Sequence, residues 1–351
     1  MEDFVHRFHI VLAGSIALLA LPGFIGHASG AEPYKVLNTA KVGGAGGFDY
    51  VYADVADRKL YVARSGNPGG RMTVFNLDSL RPEEEIPNVS AHGAVVSTKS
   101  RHGFGSSNPV SMWDSNTLAP LKSIQTEGSP DGMLYDAFND RVYVLSHRLP
   151  HATVINASDG SIAGTMDLGG APEQAVSDGK GHIYVDIEDK GNVAVVDAKT
   201  LTVTAHYDLL GKGGVCAGLA MDVKNRILFV ACRNPQNMVI MKATDGSIIT
   251  TLPLGQGTDG AQFNPKTMEA FSSQVDGTLT IIKEKSPTSF EVEQTLKTMP
   301  SAKTLTFDSK TGHILLIGAE FGPAPAPPPP GGRGGRGQMV PDSFSILVVG
   351  K

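Results

Sequence analysis

The chain has 351 residues, 41 of them glycine, an aromatic content of 7%, two cysteines and a formal charge of −5. That length is ample for a large core, either as one repeat-built domain or as two ordinary ones. A net acidic chain with no basic run, and no basic stripe interleaved with aromatics, speaks against nucleic-acid binding.

Residues 10–26, IVLAGSIALLALPGFIG, form an apolar run broken by Pro22 and Gly23. The run is near the minimum length for a membrane-spanning helix. Ser29 and Ala31 sit at −3 and −1 of a cut after Ala31, so residues 1–31 read as a secretory signal peptide, with Arg7 against Glu2 and Asp3 in its charged leader. The mature chain, 32–351, then carries 29 basic and 33 acidic residues and is expected to be periplasmic or secreted, without a transmembrane segment, and monomeric.

Residues 129–170 show the organising pattern of the chain most plainly. They read as four short strands: GMLYDA, DRVYVLS after the turn Phe138-Asn139, ATVINA, and SIAGTMDL after the turn Asp159-Gly160. Each is rich in β-branched and aromatic residues and bounded by Asn, Asp, Gly or Pro. The pattern recurs. The position of Asp136, just before the first hairpin turn, is held elsewhere by Asp54, Ser97, Asp178, Asp222, Asn264 and Asp308. Five residues earlier stand Asp49, His92, Asp131, Glu173, Ala217, Asp259 and Lys303, at gaps of 43, 39, 42, 44, 42 and 44. The second strands align as KLYVARS, HGFGSSN, RVYVLSH, HIYVDIE, ILFVACR, EAFSSQV and HILLIGA, the second unit being the weakest match.

Four strands in a period of 40–45 residues predict a β-propeller, all-β, with seven four-stranded blades. The seventh unit ends at Lys351 after three strands, while an unassigned strand, YKVLNTAKVGG, stands at 34–44 and resembles the fourth strands of other units. The amino-terminal strand is therefore expected to complete the last blade and close the ring, removing two exposed sheet edges. Residues 319–342 interrupt that blade with a Pro/Gly-rich loop containing PAPAPPPPGGRGGRG, which reads as a surface loop carrying only Arg333 and Arg336.

Strings such as DRKLYVARS, DRVYVLSH and GHIYVDIE resemble the YVTN-type repeats of secreted YncE-like seven-bladed propellers, over essentially the whole mature chain. The resemblance implies a scaffold without a shared catalytic motif. Some members of that family are described as DNA-binding, which the acidic balance here does not favour. The single Trp113-Asp114 dipeptide does not place the chain among WD-repeat proteins, since six of seven units lack it.

In a propeller the first strand of each blade lines the central channel. Asp49, His92, Asp131, Glu173, Asp259 and Lys303, with Ala217, are thus expected to ring one mouth of it, and Arg64, His147, Glu188 and Arg233, after the second strands, to lie farther out. Three readings stay open. Oxygen ligands with His92 would suit a divalent cation, and through it a lactonase-type hydrolysis. The ring would equally suit a polar or cationic small molecule, or a loop of an envelope protein. Or the residues are structural, capping turns through backbone hydrogen bonds. The expected reading is a binding or interaction module with no defined catalysis and no cofactor; a metal-dependent hydrolase in the same mouth is the alternative. No GxSxG elbow, HExxH helix, Walker loop or CxxCH haem motif is present. Cys216 and Cys232 fall almost opposite each other on neighbouring strands, as a disulfide or as two small buried thiols.

Overall fold

The computed structural model describes residues 1–2, 32–66, 69–323 and 337–351, and the fold is that of the unit Pro33–Lys351. The signal-peptide expectation and most of the Pro/Gly/Arg loop lie outside the described residues. Among the described residues, no helix is long and apolar enough to cross a membrane. Seven four-stranded antiparallel sheets form the unit. Each inner strand lies beside the inner strands of the two neighbouring blades, so that the blades circle a channel.

The last blade is made from both ends of this unit. Strand Lys35–Lys41 pairs antiparallel with Ser345–Gly350, outside strands His313–Gly318 and Thr304–Asp308. Closure leaves no pair of inner strands unmatched. Tyr34 and Lys351, which flank the paired residues Lys35 and Gly350 at one end of this join, both reach the buried carboxylate of Glu269 in the preceding blade.

Seven hydrophobic clusters hold the ring, one between each pair of adjacent blades. This explains the strand sequences. Second strands such as Ile227–Arg233 are buried on both faces and read as continuous apolar runs, whereas outer strands such as Thr202–Asp208 alternate exposed and half-buried residues. Within one strand, Ile183 and Val185 pack toward the third blade while Tyr184 packs toward the fifth. The second unit departs in sequence because its core is built differently: a Cβ on Gly103 would come 2.2 Å from the buried Trp113 ring, so glycine there makes room for indole.

The position before the first hairpin does one task in all seven blades. Oxygens of Asp54, Ser97, Asp136, Asp178, Asp222, Asn264 and Asp308 each accept the amide of the residue two places on. Several also tie blades together: Asp54 to Arg101, Ser97 to Asp140, Asp136 to Ser177 and Asp308 to Arg58.

Candidate functional site

The inner strands begin with a distortion. In five blades the ladder to the second strand shifts register between Phe48 and Val51, Pro130 and Met133, Pro172 and Ala175, Cys216 and Gly218, and Thr258 and Gly260. Asp49, Asp131, Glu173, Ala217 and Asp259 each lie inside one of these bulges, with Tyr50, Gly132 and Gln174 beside the first three. A bulge turns a side chain away from the regular alternation and is frequent beside functional sites. Here the bulges, with His92 and Lys303 just ahead of their own inner strands, gather charged groups at one end of the channel.

A cavity of about 260 Å³ results, lined among others by Asp49, His92, Asp131, His147, Glu173, Arg233, Asp259 and Lys303. Their contacts run around the mouth as an alternating chain. His92 Nδ1 lies 3.1 Å from Asp49 Oδ2 and 3.4 Å from Asp131 Oδ1. His147 Nε2 lies 3.2 Å from Asp131 Oδ2 and 3.5 Å from Glu173 Oε1. On the other side Lys303 meets Asp49 at 3.2 Å and also Asp259. Arg233 joins Asp259 to Glu188, the latter at 2.7 Å, and so occupies the sector where Ala217 offers no polar group.

Two residues that the spacing argument overlooked form the floor. Tyr50 crosses the channel from the first blade and donates to Glu173 Oε2 of the fourth at 3.1 Å; both also line the larger cavity of the channel beneath. Gln174 Oε1 accepts the Leu219 and Ala261 amides, while its Nε2 donates to the Ala261 carbonyl, clamping the fifth and sixth blades. A partial signal existed for Tyr50. The position after the ring residue is glycine in four units, 93, 132, 218 and 260, and a Cβ at Gly93 would touch Tyr50 at 3.4 Å. The large side chain at 50 occupies the space that Gly93 and Gly132 leave.

Arg64 is a correction. It does not line the mouth but lies buried, donating to the carbonyls of Gly44, Ala45 and Gly46 and stacking 3.9 Å over the Phe344 ring. The reason is register. His147, Glu188 and Arg233 are seventh in their aligned strings, whereas Arg64 is sixth in KLYVARS and so turns to the opposite face. Burial lowers its guanidinium to about 10, with Arg71 adding to the effect.

Electrostatics divide the mouth. Burial alone would raise Asp49, but the His92 hydrogen bond and Lys303 outweigh it and hold the carboxyl below its usual range. His92 is raised by its bond to Asp49. Asp131 is raised by burial and then by the Asp49 charge. Burial, with Glu188 and Asp131 nearby, pushes Glu173 up to about 8. Asp186, in strand His182–Ile187 two residues before Glu188, is fully buried; neither of its carboxyl oxygens has a hydrogen-bond partner among the described residues, and burial drives it well up. Cys216 and Cys232, at the start and near the end of neighbouring strands in the fifth blade, are joined as a disulfide.

Fold and site together define a seven-bladed β-propeller with a charged channel mouth. No family model matches the chain, and no curated protein matches it. Among solved structures it is similar to the WD40 repeats of RRP9, at 12% identity and a TM-score of 0.70 over 90% of this chain and 97% of that one. A structure of U3-55K is similar at 12% identity and a TM-score of 0.68, over 90% of this chain and 98% of that one. At that identity the likeness is one of fold alone, and a fold does not fix a function.

Proposed function

We propose that the protein is an exported binding module, of the YncE-like kind that its repeats resemble, which takes a small cationic group into the mouth of its channel. One observation carries the reading: the four carboxyl groups of Asp49, Asp131, Glu173 and Asp259 converge on the cavity beside Arg233, Lys303 and two imidazoles, and Arg233 is itself held by Glu188. A cavity of about 260 Å³ is just under the usual range for small-molecule sites, which suits a head group rather than a folded surface. The repeated turn residues of the opposite strand ends serve structure; the mouth position is Asp in three blades but His, Glu, Ala and Lys in the other four, an asymmetry that recognition of one ligand demands. Export is supported by the apolar leader and small residues of 10–31, and by a disulfide, which persists in oxidising compartments.

The test is a melting-temperature screen of chelator-treated protein with diamines, guanidinium compounds and quaternary amines, beside equally sized carboxylates. A concentration-dependent rise with cations only, lost in Asp131→Asn and Asp259→Asn, supports the reading. A rise with anions only, or one that both variants retain, overturns it.

A further inference from the structure

Half of the mouth is built from two overlapping triads. Asp49, His92 and Asp131 form one; Asp131, His147 and Glu173 form the other. In each triad one nitrogen or oxygen from every member lies within 4.8 Å of the others. Asp131 belongs to both and divides its carboxylate between them, Oδ1 facing His92 and Oδ2 facing His147.

Hydrogen bonds satisfy only part of this arrangement. Each imidazole turns a single nitrogen toward two carboxylates, and a ring nitrogen carries at most one proton. Of the four approaches, His92 to Asp49 alone is a hydrogen bond. Asp131, with a side chain only 16% exposed, approaches both imidazoles at ion-pair distance and accepts no hydrogen bond among the described residues. A carboxylate with so little exposure and no hydrogen-bond donor of its own suits a cation.

The separations are those of a metal's coordination shell. With bonds of about 2.1 Å, ligand atoms lie about 3.0 Å apart at neighbouring corners of an octahedron and about 3.4 Å apart in a tetrahedron. The four nitrogen–oxygen separations are 3.1, 3.4, 3.2 and 3.5 Å. A carboxylate offering one oxygen to each of two ions is the bridge found in two-metal sites, where the ions stand about 3.5–4 Å apart. One imidazole and two carboxylates per ion favour zinc, cobalt or manganese over calcium and magnesium, which prefer oxygen alone.

The geometry points to a carboxylate-bridged pair of divalent transition-metal ions in the channel mouth, held by Asp49 and His92 on one side, His147 and Glu173 on the other, and Asp131 between. This deepens the reading of the mouth as a cation site and rests on it. The side chains of His92 and His147 are 53% and 40% exposed, so an incoming ion reaches its nitrogen ligands from solvent, and solvent fills the remaining positions.

The experiment strips the purified protein with a chelator and titrates it with Zn(II) by calorimetry and with Co(II) by visible absorption. Two ions per chain are expected, with cobalt ligand-field bands, and Ca(II) should compete at least tenfold more weakly. His92→Gln and His147→Gln should each lose one ion; their exposure keeps them folded if Asp131→Asn proves unstable. Asp131→Asn should weaken both ions by about 100-fold or more, beyond what an outer partner of a ligand contributes. A single ion, none, or binding untouched by Asp131→Asn overturns the bridged pair. Amine binding by the stripped protein without any Zn(II) binding overturns the metal site and leaves the mouth's cation reading standing; failure of both removes both.

Discussion

Tyr50 in the first blade and Glu173 in the fourth meet across the channel, phenol oxygen to carboxylate oxygen, at 3.1 Å. The bond joins blades on nearly opposite sides of the ring, and both residues line the charged mouth and the cavity below. Glu173 is 7% exposed, so its loss of a donor is not made good by water. Tyr50→Phe should destabilise the protein by roughly 1–2 kcal/mol. Urea unfolding of the two proteins side by side measures this; an unchanged midpoint would show that the span is not made.

Gln174 ties inner strands rather than opposite walls. Its three hydrogen bonds satisfy the Leu219 amide and both backbone groups of Ala261. Gln174→Ala leaves two strand amides without their acceptor and should cost roughly 2–4 kcal/mol, while Gln174→Glu, which keeps the acceptor and loses the donor, should fall between. Hydrogen exchange at Leu219 and Ala261 reports it directly, and equal protection in all three proteins would refute the clamp.

Asp308 makes stability depend on acid. Burial alone would raise its carboxyl, but the two hydrogen bonds from Arg58, with Thr311 and the Lys310 amide, outweigh it and pull the group down to about 2. A depressed carboxyl binds its proton more readily in the unfolded chain, near pH 3.9. Its contribution is therefore complete above that value and disappears as the pH falls through about 2. Asp308→Asn should melt below the native protein at pH 6, and the gap should close between about pH 4 and pH 2. A gap of constant size across that range would falsify the linkage.

The disulfide closes a loop of 16 residues around the first hairpin of the fifth blade. By the loop-entropy relation it contributes about 3 kcal/mol. The double variant Cys216→Ala, Cys232→Ala should unfold at lower denaturant by about that amount. Dithiothreitol should lower the native protein to the same level and leave the variant alone; insensitivity of the native protein to reductant would rule the bond out as a stabiliser.

How far the site was legible is best seen at Arg64 and His147. Both belong to the same string in their repeats, and only the count within it, sixth against seventh, sends one under the Gly44–Gly46 carbonyls and the other into the mouth. The offset was written in the alignment; its consequence, a change of face, needs the strand to be placed. Tyr50 and Gln174 were hidden for another reason. A regular strand alternates its faces, so neighbours in sequence should not both point into the channel, and the register shifts that let 49 and 50, or 173 and 174, do so are tertiary.

The sequence alone determined the seven blades, the borrowed strand within 34–44 and the repeated residue before each first hairpin turn. All of these repeat, and a pattern copied seven times at a spacing of 39–44 residues is constrained locally each time. Only the tertiary structure decided which charges meet. The sharing of Asp131 between His92 and His147, the closing of Arg233 over the sector of Ala217, and the floor made by Tyr50 with Glu173 depend on distances between blades tens to more than a hundred residues apart. Spacing places such residues on a common rim; bulges and rotamers determine which atoms come within 3.5 Å across it.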